Sequence, residues 1–315
     1  MTVTINTLWN EGGPSGKGYS EVEAYLRCPK EYQYAKVRGI GKPAGQMPDH
    51  FAIGSFLHAG RARWLASKCV VSDEVWQQMR ADITRTRESF PLPCSDLAET
   101  TALRYLQEYV DHWSVREKPN VVAVEHMLGP APLFDDEPGT ERTARLDDFG
   151  FYPEAGGKLC IGECKSTSAP ISDVANQYTL HGQPYLQKIL WDLAPQGAAL
   201  FGQVSGMVLD VVQKGYGGKR CNFARLYVPY EERVQKWFRF QLGRALVERS
   251  AITATSPAER RITSCTRLIG KARVACEFRD LCQHGKAGSL GFTDQEGKLI
   301  SQWQASESNV IAPWE

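Results

Sequence analysis

Residues 144–167, "ARLDDFGFYPEAGGKLCIGECKST", constrain this chain more than any other stretch. Two alternating, β-rich runs flank "PEAGGK", a turn-forming segment, so the sequence predicts a hairpin. In the second arm Leu159, Ile161, Glu163 and Lys165 share one face, while Cys160, Gly162 and Cys164 share the other. A carboxylate and an ammonium therefore point the same way out of a strand that otherwise reads as buried. Burying such a pair costs several kcal/mol unless each charge finds a partner, so the placement implies a partner, a cleft or solvent.

The rest of the chain fits a soluble α/β protein. Its 315 residues are 42% hydrophobic and 23% charged, which excludes disorder of the whole chain. No run approaches about 18 apolar residues, and the amino terminus lacks a basic region followed by an apolar core, so a cytoplasmic protein without a membrane segment is expected. Helices are predicted from Ser20 in a capping-box pattern, through "FAIGSFLHAGRARWLASK", and around Leu103, Leu106, Val110 and Trp113. Strands follow at 121–128, 144–152 and 158–166. One helix is expected from Ser172 or Asp173 to about Leu193, then strands at 202–213 and 221–228, and a long amphipathic helix through "EERVQKWFRFQLGRALVERS". This order predicts a mixed central sheet flanked by helices. Residues 214–282 hold fifteen Lys or Arg against six Asp or Glu, a basic segment that suits either a phosphate backbone or a solvated helix face.

Asp147 in the first arm of the hairpin, with Glu163 and Lys165 in the second, is a pattern suited to cutting phosphodiesters. Oxygen ligands hold Mg²⁺ or Mn²⁺, and a lysine can orient water or stabilise developing negative charge. The segment resembles the active-site core of the PD-(D/E)XK nuclease superfamily, and so the chain is expected to have a restriction-endonuclease-like core. The family's spacing of a small residue, two residues and then aspartate runs from Ala144 to Asp147, selecting Asp147, with Asp148 as its solvent-side neighbour. "GSFLH" resembles the G-x-x-x-H helix of the RecB-type branch, implying His58 as a metal ligand beside Asp147, Glu163 and the backbone carbonyl of Cys164. "VEHML" places Glu125 as an accessory acid. "HGQPYLQKILW" resembles the branch's glutamine helix, with Gln183 and Tyr185 implied as DNA contacts, but Gln187 stands where the family commonly has tyrosine.

The nine cysteines are an odd count without a signal peptide, which favours reduced thiols or metal ligands. Cys28, followed by proline, together with Cys265, Cys276 and Cys282, resembles the iron–sulfur nucleases of the RecB-type branch, which include the AddB nuclease domain and CRISPR-associated iron–sulfur exonucleases. Ten residues separate Cys265 from Cys276, a spacing associated with phage-type members. The resemblance implies a structural [4Fe-4S] cluster stapling the two ends; zinc is the alternative, since four thiolates suit both. A single nuclease domain over 1–282 is expected, with amino-terminal elements at 20–60, a helical insertion at 70–118, a catalytic core at 121–228, a carboxyl-terminal helix and cysteine cluster at 230–282, and a tail at 283–315.

The implied function is a Mg²⁺- or Mn²⁺-dependent DNA exonuclease acting on single strands or duplex ends, in recombination, repair or phage DNA processing. A helicase or recombination partner fits because no G-x-x-x-x-G-K-[ST] pattern occurs in the chain. Oligomerisation stays open, as some relatives form rings. The alternatives are a non-catalytic DNA-binding recombination scaffold that keeps this fold and cluster, and a zinc-stapled protein of unrelated function.

Overall fold

A computed structural model describes residues 4–5, 18–37, 47–90, 92–134, 141–179, 181–215, 219–253, 266–269 and 272–275. The chain divides into two compact units, Met1–Gly18 with Gly45–Arg239, and Tyr19–Ala44 with Phe240–Glu315.

The first unit is built on a six-stranded mixed sheet with its strands in sequence order: β1 (Thr4–Ile5), β2 (Asn120–Pro132), β3 (Glu141–Tyr152), β4 (Lys158–Thr167), β5 (Gly206–Gln213) and β6 (Asn222–Pro229). The β1–β2 and β4–β5 pairs are parallel and the others antiparallel. The expected hairpin is β3–β4, closed by a short 3₁₀ turn at Pro153–Ala155 and two glycines at positive φ, Gly156 and Gly157.

Three helices pack together along one face: α3 (Asp49–Ala66), α4 (Asp73–Glu88) and α5 (Asp96–Ser114), numbered after two short helices of the other unit. Ser72 caps α4 by accepting from the Val75 N–H, and Ser95 does the same for α5 through the Ala98 N–H. Phe56, Trp64, Ile83, Leu106 and Tyr109 form their common core, which reaches Val124, Cys164 and Val212 on the sheet. Against the opposite side of β5, Val174 and Tyr178 of α6 (Ile171–Tyr178) meet Met207, Leu209 and Val211. With both faces covered, β5 is buried along almost its whole length.

The single helix expected over 172–193 is broken into α6 and α7 (Gly182–Leu193). The His181 side chain accepts from the Gln183 N–H, and Gly182 and Pro184 fall in the first turn of α7. Proline there lacks an N–H that a first turn cannot use anyway, so the break restarts a helix at little cost. After α8 (Ala198–Phe201), α9 (Glu232–Ser250) runs from the first unit into the second.

In the second unit α1 (Tyr19–Arg27) and α2 (Pro29–Tyr32) meet the end of α9. The Tyr25 hydroxyl donates to Glu248 Oε2 at 2.8 Å, and Gln33 Nε2 donates to the Thr253 carbonyl at 2.7 Å. Cys28 is buried at the start of α2. A two-stranded antiparallel sheet pairs β7 (Thr266–Ile269) with β8 (Ala272–Ala275). Cys265, Cys276, Cys282 and the segment 283–315 lie outside the described residues. Among the described residues no helix is long and apolar enough to cross a membrane.

Candidate active site

Strand alternation sorts the residues of β4. Glu163 is level with Leu209 of β5, on the α6 side, whereas Cys164 is level with Asp210, on the α3 side. Glu163 is 1% exposed, and its carboxylate is satisfied by three donors: Lys165 Nζ lies 2.6 Å from Oε1, Gln183 Nε2 donates to the same oxygen at 2.7 Å, and Gln187 Nε2 donates to Oε2 at 2.9 Å. Lys165 Nζ also sits 5.7 Å from the centre of the Tyr178 ring. Burial opposes the lysine charge, but Glu163, Tyr178 and Asp147 outweigh it and hold the ammonium well above the usual lysine range.

Asp147, on the neighbouring strand, reaches the same region. Its Oδ2 accepts from the Cys164 N–H at 2.7 Å and lies 3.3 Å from His58 Nδ1 on α3. Burial penalises the Asp147 charge; His58, Lys165 and the Cys164 N–H more than offset this and hold its carboxyl well below the ordinary range. The same pair raises His58 against the opposing effect of burial. Gly54, one turn before His58, faces the end of β4: a methyl group there would sit 3.4 Å from Ser166 Oγ.

Glu125 falls between the β2–β3 pairs Val124↔Asp148 and His126↔Leu146, and has a positive φ of 49°, unusual for a residue with a side chain. Its carboxylate pairs with Arg145 at 3.0 Å. Burial, helped by the nearby Asp147 charge and resisted by Arg145, pushes its carboxyl up to about 7.

The Asp148 expectation is overturned. Far from facing solvent, Asp148 is 0% exposed on the α3 side of the sheet, bonded by the Tyr152 hydroxyl and paired with Arg61 Nη1 at 2.8 Å. Arg61 Nε also reaches Asp210 Oδ2 at 3.1 Å, as does Arg225 Nε, and the Tyr109 hydroxyl bonds the same oxygen. Four buried charges and two tyrosines thus form one network beneath the site. Gly162 makes room for it, because a side chain at that position would run into the Asp148 carboxylate and the Tyr152 hydroxyl.

Of the residues singled out in the sequence, His58, Glu125, Asp147, Glu163, Lys165 and Gln183 are drawn together, with the Cys164 backbone among them. Tyr185 is not: it is 3% exposed, packs against Tyr230 and Phe238, and donates its hydroxyl to the Thr179 carbonyl. Gln187 and Tyr178 were missed. Gln187 carried a signal, since it lies four residues after Gln183 and so on the same face of α7.

Several carboxylates with a backbone carbonyl are the donor types that suit Mg²⁺ or Mn²⁺, and Glu125 beside Asp147 concentrates negative charge that a cation would relieve. Among the described residues, however, no three His, Cys, Asp or Glu side chains converge as a ready cage. The partners explain this: Glu163 is turned onto Lys165 and the two glutamines, and Glu125 onto Arg145.

No curated protein matches the chain. Thirteen chains of solved structures do; one, titled "Crystal structure of SSO0001", is 10% identical, with 73% of this chain and 82% of that one covered and a TM-score of 0.28. The family model of the PD-(D/E)XK nuclease superfamily matches residues 18–283, most of the chain, and this protein belongs to that superfamily.

Proposed function

We propose that this protein is a metal-dependent DNA exonuclease that hydrolyses phosphodiester bonds of single strands or duplex ends, within the RecB-type branch. One observation carries the reading: the Glu163–Lys165 pair at 2.6 Å on one strand neighbours Asp147 on the next, itself 3.3 Å from His58, in a chain of a nuclease superfamily. His58, Asp147, Glu163 and the Cys164 carbonyl would hold one or two Mg²⁺ or Mn²⁺ ions, with Glu125 in reserve. Such ions, when bound, supply Lewis acidity at the phosphate and ease deprotonation of water. Lys165, as an ammonium, donates hydrogen bonds that orient the attacking water and offset charge growing on the phosphate oxygens. Gln183 is suited to exchange its bond to Glu163 for one to the strand backbone.

A [4Fe-4S] cluster on Cys28, Cys265, Cys276 and Cys282 is the second part of the proposal. Two facts support it. Hydrogen bonds from Tyr25 and Gln33, either side of Cys28, tie this segment to the end of α9. Thr266, paired with Ala275 across β7–β8, is next in sequence to Cys265 as Ala275 is to Cys276, so a hairpin accounts for the ten-residue spacing. Brown protein with matching iron and sulfide, purified without oxygen, is the expected result; colourless protein containing zinc would replace the cluster with a zinc staple.

The activity is tested with end-labelled single-stranded and duplex DNA and a closed circle, in Mn²⁺ or Mg²⁺, comparing the intact protein with Lys165→Ala. Loss of linear DNA but not of the circle, abolished in the variant, is expected. A non-catalytic DNA-binding scaffold is the second reading, favoured by the full occupation of Glu163 by protein donors. Tight DNA binding by both proteins with no cleavage would select it.

A further inference from the structure

We propose that Gln187 is a positioning residue for Glu163, setting the orientation in which that carboxylate meets a divalent cation; this rests on the nuclease reading above. Lys165 and Gln183 both bond Oε1. Two donors on one oxygen leave the carboxylate free to swing about it. Gln187 alone engages Oε2 among the described residues, at 2.9 Å, and so removes that freedom. The amide orientation follows from the chemistry, because an ionised carboxylate only accepts and must face the Gln187 N–H₂.

The placement argues against a packing role. Gln187 is 2% exposed, and its Oε1 is buried without a hydrogen-bond partner among the described residues. A carboxamide held there only to fill space would be costlier than an apolar side chain of the same volume. Its bond to Glu163 is what the burial secures. The i, i+4 spacing on α7 then lets Gln183 and Gln187 grip the two oxygens from one helix face. Outer hydrogen-bond partners of this kind orient metal ligands, and their loss costs about 10–100-fold in metal affinity or activity.

The test is Mn²⁺ binding by the full chain without DNA, read from the electron paramagnetic resonance of free Mn²⁺. Gln187→Met keeps length and volume but removes the donor, and Gln187→Leu is a second variant with the same loss. Mn²⁺ affinity about 10–100-fold weaker in both variants is expected, in proteins that still fold but melt at a lower midpoint because Glu163 Oε2 loses its donor, with the KM for DNA at saturating Mn²⁺ close to that of the unaltered protein. Affinity within about twofold of the unaltered protein would overturn the proposal alone. Loss of fold in both variants would also overturn it, by assigning Gln187 to packing. Failure of the unaltered protein to bind Mn²⁺ or cut DNA would instead bring down the nuclease reading, and this assignment with it.

Discussion

Arg61 and Asp148 form a buried ion pair, Nη1 to Oδ2 at 2.8 Å, that clamps α3 to β3 from beneath the candidate site. The relationship matters because of its neighbours in sequence. His58 lies one helical turn before Arg61, and Asp147 immediately precedes Asp148, so the buried pair fixes the register in which His58 and Asp147 can meet. Removing one partner leaves an uncompensated buried charge, which costs about 3–5 kcal/mol. Arg61→Met should therefore lower the urea midpoint sharply, and adding Asp148→Asn should recover part of the loss. A double-mutant cycle with no coupling between the two sites would refute the clamp.

Asp210 gives the same network a pH signature. Burial opposes its charge, but Arg225, Arg61 and the Tyr109 hydroxyl outweigh it and hold the carboxyl below its ordinary value of 3.8. In the folded state it stays ionised where the unfolded chain has begun to take up a proton. Its contribution is therefore complete above that ordinary value and lost as pH falls below it toward the depressed folded value. Asp210→Asn should be less stable by about 3 kcal/mol near neutrality, and its stability should fall less steeply than that of the unaltered protein as pH drops below about 4. Parallel curves from urea unfolding would remove Asp210 from the acid response.

Much of this architecture was legible because period-two alternation is a local property. The arms at 144–152 and 158–166 fall within β3 and β4, and the shared face of Glu163 and Lys165 follows from spacing alone. What failed to read was tertiary. Alternation says that Asp147 and Asp148 face opposite ways, but with helices over both faces neither direction is solvent, and it takes Arg61, 87 residues earlier, together with the Tyr152 hydroxyl to make the Asp148 side habitable. The α6–α7 break was hidden similarly, since apolar spacing runs through 172–193 and a histidine is an uncommon cap. Gln187 looked like a departure from a family pattern; its role is visible only once Glu163 is seen between two glutamines.

Gly162 offers a steric test of how closely the network underlies the site. A β-carbon there would meet the Asp148 carboxylate and the Tyr152 hydroxyl, both held inside the core. Gly162→Ala should cost about 1–3 kcal/mol as an overpacked core position, seen as a lower thermal midpoint. Because Glu163 is the next residue, cleavage should fall even at temperatures where the variant is fully folded. Unchanged activity in a destabilised variant would separate the packing beneath the sheet from the chemistry above it.

Cation binding should be visible as stability before any DNA is added. If Mn²⁺ binds the folded protein and not the unfolded chain, a concentration about 100-fold above its dissociation constant adds about 2.7 kcal/mol. His58, Asp147 and Glu163 come from α3, β3 and β4, so the ion would join three elements that here meet through the Asp147–His58 contact and the Cys164 N–H bond to Asp147. Asp147→Asn and Glu163→Gln should each abolish most of the Mn²⁺-induced rise in the melting midpoint, whereas Asp96→Asn, in the exposed first turn of α5, should keep it. Scanning calorimetry with and without Mn²⁺ checks this. A rise of equal size in all four proteins would place the cation elsewhere, and with it the chemistry assigned to this strand pair.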